Sequence, residues 1–147
     1  MTIVLLLAAA LLGFFVLYKA LGGAIVEGLN TPDNVKRIAQ AIATAEGFYV
    51  AGSRPARNHN PGDMTADLIG KKVGMDGSFV VYASDDDGWA NLYQQINLWL
   101  TGGSSHATAQ STISDLSQFY TTTDQTAWAS NVANSLGVSL DTPIGEV

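Results

Sequence analysis

The chain has 147 residues, of which 47% are apolar and 14% are charged, and its formal net charge is -6. This length suits one compact domain, and the acidic balance argues against nucleic-acid binding, because phosphate contacts require clustered lysine and arginine. The sequence has no cysteine and two histidines, which excludes disulfides, zinc fingers and thiol nucleophiles and leaves little for a metal site. We therefore expect neither a metal nor a cofactor.

The N-terminal segment is almost free of charge. Residues 1–26 carry a single charged side chain, Lys19, and every residue from Ile3 to Leu17 is apolar or glycine. As one helix, residues 3–26 would extend about 36 Å, which exceeds the roughly 30 Å hydrocarbon core of a bilayer. The sequence therefore predicts a transmembrane anchor over residues 1–27.

Two alternatives for this segment stay open. One is a cleaved signal peptide, although the segment lacks the usual basic residues at its start and its apolar run is longer than usual. The other is a buried core helix, although the segment lacks the polar stripe that such a helix of so small a domain normally has. Orientation is a separate question, because Lys19, Lys36 and Arg37 all follow the apolar run and the positive-inside rule then favours a cytoplasmic domain. That orientation conflicts with the function inferred below.

After a linker over residues 28–32, the domain is expected to span residues 33–147 and to begin with an amphipathic helix. Thr31 is predicted as its N-cap and Pro32 as its first helical residue, and apolar residues then recur at three- and four-residue spacing. Gly47 is predicted to end this helix as its C′ residue.

A polar loop and a hairpin are expected next. Residues 52–63 contain two prolines and are predicted to be irregular. Asp76-Gly77 then favours a tight turn between strands over residues 72–75 and 78–83.

Three helices are predicted after the hairpin. The first opens at Ser84–Asp87 and ends at Gly102, with its three aspartates interpreted as capping and dipole partners and not as metal ligands. The second carries the apolar residues of 113–120, the third spans about 124–136, and residues 139–147 are expected to be irregular. The order indicates a mostly helical α+β domain with a small β-hairpin.

Glu46 is the acidic residue with the most unusual position. It stands at the C-terminal end of the first predicted helix, where unpaired carbonyls are negative, and the aromatic residues Phe48 and Tyr49 follow closely. Both features disfavour the carboxylate and should raise its pKa, as a general acid working near neutral pH requires. On position alone, a solvated glutamate without a catalytic role is the alternative.

Six strings of the sequence, together with Tyr120, form a larger pattern. They are Ala45-Glu46-Gly47-Phe48-Tyr49, Gly52-Ser53-Arg54-Pro55, Arg57-Asn58-His59-Asn60-Pro61-Gly62-Asp63-Met64, the hairpin strand 79–84, Gly88-Trp89-Ala90-Asn91-Leu92, and Val132 to Val138. Together they resemble a phage and bacterial branch of the lysozyme-like superfamily that includes lytic transglycosylases. In that branch an acidic residue followed by glycine ends the first helix, and an Asn-Pro-Gly loop leads into a β-hairpin. The resemblance extends over residues 33–143.

The resemblance implies a lysozyme-like domain that cleaves the β-1,4 bond between N-acetylmuramic acid and N-acetylglucosamine. It implies that Glu46 is the catalytic acid and that Asn58 and Asn60 belong to the polar loop lining the cleft. By the same analogy Tyr82 and Tyr120 are cleft aromatics that bind substrate, with core packing as the alternative for both.

Asp63 bears on the mechanism. By resemblance, a lytic transglycosylase uses one glutamate as acid and then as base, so that the muramic C6 hydroxyl closes a 1,6-anhydro ring. A muramidase pairs two carboxylates, and Asp63, which stands where the family has asparagine, is the candidate second acid. A turn aspartate is the alternative for Asp63. Asp67 is a weaker candidate, and His59 is considered only because histidine in general titrates near neutral pH. The transglycosylase is the preferred interpretation.

The expected partners are peptidoglycan glycan strands, a lipid membrane contacting residues 3–26, and other proteins of a virion. The expected location is a virion membrane or a host inner membrane, crossed once, with the domain facing the peptidoglycan. Two alternatives from other classes remain: a non-catalytic structural membrane protein of a virion on the same scaffold, and a peptidoglycan-binding module without cleavage.

Overall fold

A computed structural model of the chain describes residues 32–147. The predicted anchor over residues 1–27 and nearly all of the linker over 28–32 lie outside these residues. Among the helices of residues 32–147, none is both long enough and apolar enough to cross a membrane.

The described residues have an α+β architecture, about half helical, with one small antiparallel sheet, as the sequence predicted. Its elements in chain order are α1 (Asp33–Ala45), α2 (Arg54–Arg57), β1 (Gly74–Asp76), β2 (Phe79–Val81), α3 (Asp85–Thr101), α4 (Ile113–Tyr120), α5 (Gln125–Leu136) and a final 3-10 turn (Ile144–Glu146). The four longer helices supply most of the core, and the short helix α2 and the hairpin supply one wall of the candidate site.

Helix α1 lies at the centre of the core. Its apolar residues at three- and four-residue spacing, including Val35, Ile38 and Ile42, are almost completely buried. Helix α1 packs against α3 and α5, and α4 packs against α5. Burial of each aliphatic side chain of this stripe contributes about 1.5–3 kcal/mol to the free energy of unfolding. The C-terminal end of α1 is therefore held firmly among the other helices.

Capping residues set the helix ends that matter for the site. Gly47 adopts a left-handed φ of 76° directly after α1, as predicted for its C′ residue. The Ser84 hydroxyl accepts a hydrogen bond from the Asp87 amide at the start of α3, and Gly102 ends that helix at φ 76°. These positions confirm the predicted ends of α1 and α3.

Two predictions around the first helix and the loop were wrong in detail. Helix α1 begins at Asp33 with Pro32 in the N-cap position, and Thr31 lies outside the described residues. The segment 52–63 is not wholly irregular, because it contains α2, where Ser53 is the N-cap and Pro55 falls in the first turn. Proline is tolerated there because first-turn amides have no partner within the helix.

Two further predictions were shifted or incomplete. Asp76 pairs with Phe79 across the hairpin, so the two-residue turn is Gly77-Ser78 and not Asp76-Gly77. Residues 139–147 are not simply irregular, because they contain the final 3-10 turn and the fully buried Ile144. Its apolar side chain joins the core, which the short segment did not reveal by periodicity.

Candidate active site

Glu46 forms the C-cap of α1, and its side chain is partly buried. Its Oε1 accepts a hydrogen bond from the indole Nε1 of Trp128 at 2.6 Å, which joins the end of α1 to α5. Within residues 32–147, Trp128 is the only hydrogen-bond partner of this carboxyl group. Residues 32–147 supply no donor to the second carboxyl oxygen.

The environment of Glu46 changes its acidity. Burial raises the pKa of Glu46 from 4.5 to about 7, although the hydrogen bond from Trp128 acts in the opposite direction. The nearby charge of Asp63 raises this pKa further, whereas the positive charge of Arg54 lowers it. The pKa near neutrality allows Glu46 both to donate and to accept a proton at physiological pH.

Asp63 is held by Arg54 in a charge-assisted pair. The Arg54 Nε donates to both Asp63 carboxyl oxygens, at 3.0 and 3.1 Å, and its Nη2 donates to Oδ2. The guanidinium carbon of Arg54 also lies 3.3 Å from the centroid of the Phe79 ring. Asp63 itself has a left-handed φ of 46°, which asparagine and aspartate tolerate better than other non-glycine residues. Asp63 is thus fixed in position by Arg54.

A cleft of about 510 Å³ adjoins this pair. Its lining combines aromatic, hydroxyl and amide groups and includes Phe79, Gln95, Trp99, Phe119, Thr121, Thr122 and Thr123. Arg54, Asp63 and Tyr120 also line the cleft, whereas Glu46 does not. Asp63 and Arg54, which line the cleft, also shift the pKa of Glu46 through their charges.

Tyr120 connects the cleft to the acid. Its hydroxyl donates to the carbonyl oxygen of Gly62 at 2.7 Å, and its ring stacks on Trp128 with centroids 4.9 Å apart. Burial raises the pKa of Tyr120 well above its usual value, and the charges of Glu46 and Asp63 add to this effect. Its hydroxyl therefore stays protonated and acts as a donor to the loop.

Asn58 and Asn60 are both buried in the loop that precedes the hairpin. The Asn60 amide donates to the carbonyl oxygens of Met64 and Val80 at 2.9 and 3.0 Å, and its Oδ1 accepts from the Met64 amide. Asn58 donates to Asp76 at 3.3 Å. Both side chains are thus engaged in holding the loop against the hairpin, and neither lines the cleft.

Tyr82 lies apart from the cleft. Its side chain is 1% exposed, and its hydroxyl lies 3.4 Å from Asp67 Oδ1. Burial opposes ionisation of Asp67, but hydrogen bonds from the backbone amides of residues 69–72 outweigh it and lower the pKa of Asp67. Asp67 therefore organises the loop before β1, and Tyr82 packs in the core.

His59 also lies outside the group around Glu46. Its Nδ1 is 2.7 Å from Asp85 Oδ1, and both side chains are exposed. Asp87 pairs with Lys71 at 3.1 Å, so two of the three aspartates at the start of α3 are bound to cationic or titratable partners. No group of three metal-ligating side chains occurs within residues 32–147.

Arg54 and Trp128 are the site residues that sequence reasoning missed. Trp128 belongs to the apolar stripe of α5 and stands 82 positions from Glu46, so the sequence indicated only a core residue. Arg54 begins α2 and lies in one of the strings that carry the resemblance, but nothing in its spacing from Asp63 predicted their contact. Phe48 and Tyr49 were expected to shield Glu46, but Tyr49 is 62% exposed, and the aromatic residue bonded to the acid is Trp128.

A comparison of the chain with protein-family models, curated proteins and solved structures found no match. The functional interpretation therefore rests on the residues of this chain and on their arrangement.

Proposed function

We propose that this protein cleaves the β-1,4 bond between N-acetylmuramic acid and N-acetylglucosamine in peptidoglycan, as a lytic transglycosylase. The observation that carries this proposal is the partly buried Glu46 carboxyl group, whose pKa is raised to about 7 and is influenced by the Asp63–Arg54 pair that lines the cleft. A carboxyl group in this state is suited to serve first as a general acid and then as a base at one pH.

The reaction needs only one carboxyl group. Protonated Glu46 gives its proton to the glycosidic oxygen, the bond from that oxygen to C1 of the muramic residue breaks, and the N-acetylglucosamine end leaves as an alcohol. The Glu46 carboxylate then takes the proton of the muramic C6 hydroxyl, and the C6 oxygen bonds to C1. The product has a 1,6-anhydro ring, and Glu46 is protonated again.

The state of Asp63 favours this mechanism over a two-carboxylate muramidase. Both oxygens of Asp63 accept hydrogen bonds from Arg54, and these bonds occupy part of the lone pairs that a nucleophile or base would use. The muramidase remains the second candidate because Asp63 lines the cleft and influences the acidity of Glu46.

The cleft has the chemistry of a sugar-binding surface. Rings of Phe79 and Phe119 can contact apolar sugar faces, and the hydroxyl groups of residues 121–123 can bond to sugar hydroxyls. Among the lining residues Arg54 is the one arginine or lysine, and it is already paired with Asp63. A neutral, hydroxyl-rich polymer therefore suits this cleft better than a polyanion.

The setting we propose is a membrane next to the wall, with residues 3–26 as a single-pass anchor in a virion or host membrane. Tethering would raise the local concentration of the domain at its polymeric substrate. Protease protection in intact membranes tests this setting. A domain that is digested only from the wall-facing side supports it, and a domain digested only from the cytoplasm contradicts direct action on the wall.

Digestion of purified peptidoglycan tests the reaction. The full-length chain in detergent is incubated with the polymer, and the released muropeptides are analysed by mass spectrometry beside the Glu46→Gln variant. The proposal expects products with 1,6-anhydro ends from the wild type and none from the variant. Glu146→Gln, in the exposed final turn, makes the same change of charge and should leave release unchanged.

The same experiment separates the competing functions. Muropeptides with reducing ends that disappear in Asp63→Asn would establish the muramidase. Binding to peptidoglycan without any product would indicate a binding module. If neither cleavage nor binding occurs on accessible polymer, the protein is better explained as a structural component of a virion.

A further inference from the structure

The candidate acid is held by one donor from a distant helix. Trp128 is 6% exposed and belongs to α5, and its indole is fixed on one side by the stacked ring of Tyr120. An indole Nε1 is always a donor, so the atom of Glu46 that it meets must act as an acceptor in both protonation states. Glu46 Oε1 is that atom, at 2.6 Å.

This contact restricts where the acidic proton can be. In a carboxylic acid one oxygen carries the hydrogen and the other is the stronger acceptor. Since Oε1 is engaged by the indole N–H, the proton of neutral Glu46 must lie on Oε2. Oε2 has no donor from residues 32–147, so it is free to face a substrate.

A second contact ties the same aromatic pair to the loop of Asp63. The Tyr120 hydroxyl donates to the Gly62 carbonyl at 2.7 Å, one residue before Asp63. The stacked pair Tyr120–Trp128 therefore makes two polar contacts. The Trp128 indole binds Glu46, and the Tyr120 hydroxyl binds the loop that contains Gly62. Such a connection sets the separation between Glu46 and the Asp63–Arg54 pair.

Resting on the proposed function, we propose that Trp128 is a positioning residue that selects Oε2 of Glu46 as the proton-donating oxygen, with Tyr120 holding the indole in place. Trp128 does not touch the substrate in this role. It acts through Glu46, by fixing the rotation of the carboxyl group and by stabilising its ionised form. Glu46 is then already held in the side-chain conformation in which it presents its proton to the cleft.

The direct test follows the indole and the acid together. The chain has three tryptophans and three glutamates, so ¹⁵N-indole and ¹³C-carboxyl labelling of the full-length protein gives few signals. We expect the Trp128 indole resonance to shift with pH along the same titration curve as the Glu46 carboxyl carbon. The indoles of Trp89 and Trp99 should not follow it. A Trp128 signal that ignores the Glu46 titration would overturn the inference, and this readout needs no substitution.

A substitution adds the functional readout. Trp128→Phe keeps a ring to stack on Tyr120 and removes the N–H. The pKa of Glu46 should rise further, because the lost hydrogen bond had lowered it. In the cleavage assay kcat should fall about 10- to 100-fold with little change in KM, and the alkaline limb of the pH profile should move to higher pH. A folded variant with an unchanged pKa and pH profile contradicts the proposed role.

Failure of this inference differs from failure of the proposed function. If the resonances titrate together but no peptidoglycan is cleaved, Trp128 positions Glu46 and the reaction has been misidentified. If 1,6-anhydro products form while the Trp128 indole ignores the titration, the enzyme is correctly identified and Trp128 is only a core residue.

Discussion

Arg54 donates from Nε to both carboxyl oxygens of Asp63, at 3.0 and 3.1 Å, while its guanidinium group covers the ring of Phe79. This relationship gives the loop acid a fixed partner beside the cleft. It also places two opposite charges near Glu46, which shift the pKa of that residue in opposite directions. A substitution that removes the charge of Asp63 but keeps the conformation of its loop can therefore test the role of this residue.

Asp63→Asn should retain transglycosylase activity and alter its pH dependence. Asparagine tolerates the left-handed φ of 46°, so the loop should keep its conformation. The substitution removes a negative charge and frees the positive charge of Arg54, and both changes lower the pKa of Glu46. We expect the alkaline limb of the cleavage profile to move to lower pH while the products keep 1,6-anhydro ends. Complete loss of cleavage in a folded Asp63→Asn protein would favour the muramidase instead.

Glu46→Gln should stabilise the protein above neutral pH. Because the pKa of Glu46 is raised from 4.5 to about 7, the folded state binds the proton more tightly than the unfolded state does. The contribution of Glu46 to the free energy of unfolding is fully present below about pH 4.5 and is lost as the pH rises through about 7. The full shift corresponds to a cost of about 3 kcal/mol at alkaline pH as an upper bound.

Thermal unfolding at pH 4 and pH 8 measures this effect. Glutamine keeps an acceptor for the Trp128 indole and cannot ionise, so the variant should gain stability at pH 8 and little at pH 4. Glu146→Gln is the matched control. Equal effects of Glu46→Gln at the two pH values would show that Glu46 titrates normally.

Asn60→Ala should destabilise the fold more than Asn58→Ala. Truncation of Asn60 leaves the Met64 amide and the carbonyls of Met64 and Val80 without their buried partner, at a cost of about 3 kcal/mol. Asn58 makes one side-chain hydrogen bond, to the half-exposed Asp76, and its loss should cost about 1 kcal/mol. Denaturant unfolding measures both values. A large rise in KM for Asn60→Ala without loss of stability would instead indicate direct contact with substrate.

Gly62→Ala should disturb the cleft through Tyr120. A Cβ at this position would lie 2.8 Å from the Tyr120 hydroxyl oxygen and 2.9 Å from a methyl group of Leu92. Tyr120 would have to move, which breaks its hydrogen bond to the loop and loosens its stack on Trp128. We expect a loss of cleavage of about 100-fold, consistent with a displacement of roughly 1 Å at the acid. Gly74→Ala serves as the steric control, because its new Cβ would lie 4.0 Å from its nearest neighbour, Val81 Cβ.

The sequence predicted those parts of the fold that depend on local periodicity and capping. The stripe of α1, the cap at Ser84 and the glycine that ends α3 are each encoded within a few residues. The turn of the hairpin was displaced by one residue, because Asp76 is recruited into the strand by pairing with Phe79. Ile144 was overlooked because burial of one residue after the last helix leaves no repeating pattern.

The sequence predicted Glu46, Asp63 and Tyr120 as candidate site residues, and the last two line the cleft. The position of Glu46 at a helix end indicated a raised pKa, and the largest cause of the rise is burial in the tertiary structure. Trp128 contacts Glu46, and Arg54 contacts Asp63, only because separate segments of the chain pack together. No local spacing reveals such contacts. Asn60 and Tyr82 were expected at the cleft, and their polar groups are instead bonded within the loop and hairpin region.

The initial rate of 1,6-anhydro muropeptide release, measured from pH 5 to pH 9, tests the central claim most directly. If Glu46 is the acid, the wild type should release these products with kcat/KM falling above about pH 7, and Glu46→Gln should release none. Release that Glu46→Gln preserves, or a wild-type protein that binds accessible peptidoglycan at every pH without cleaving it, would contradict the assignment of Glu46 as the catalytic acid.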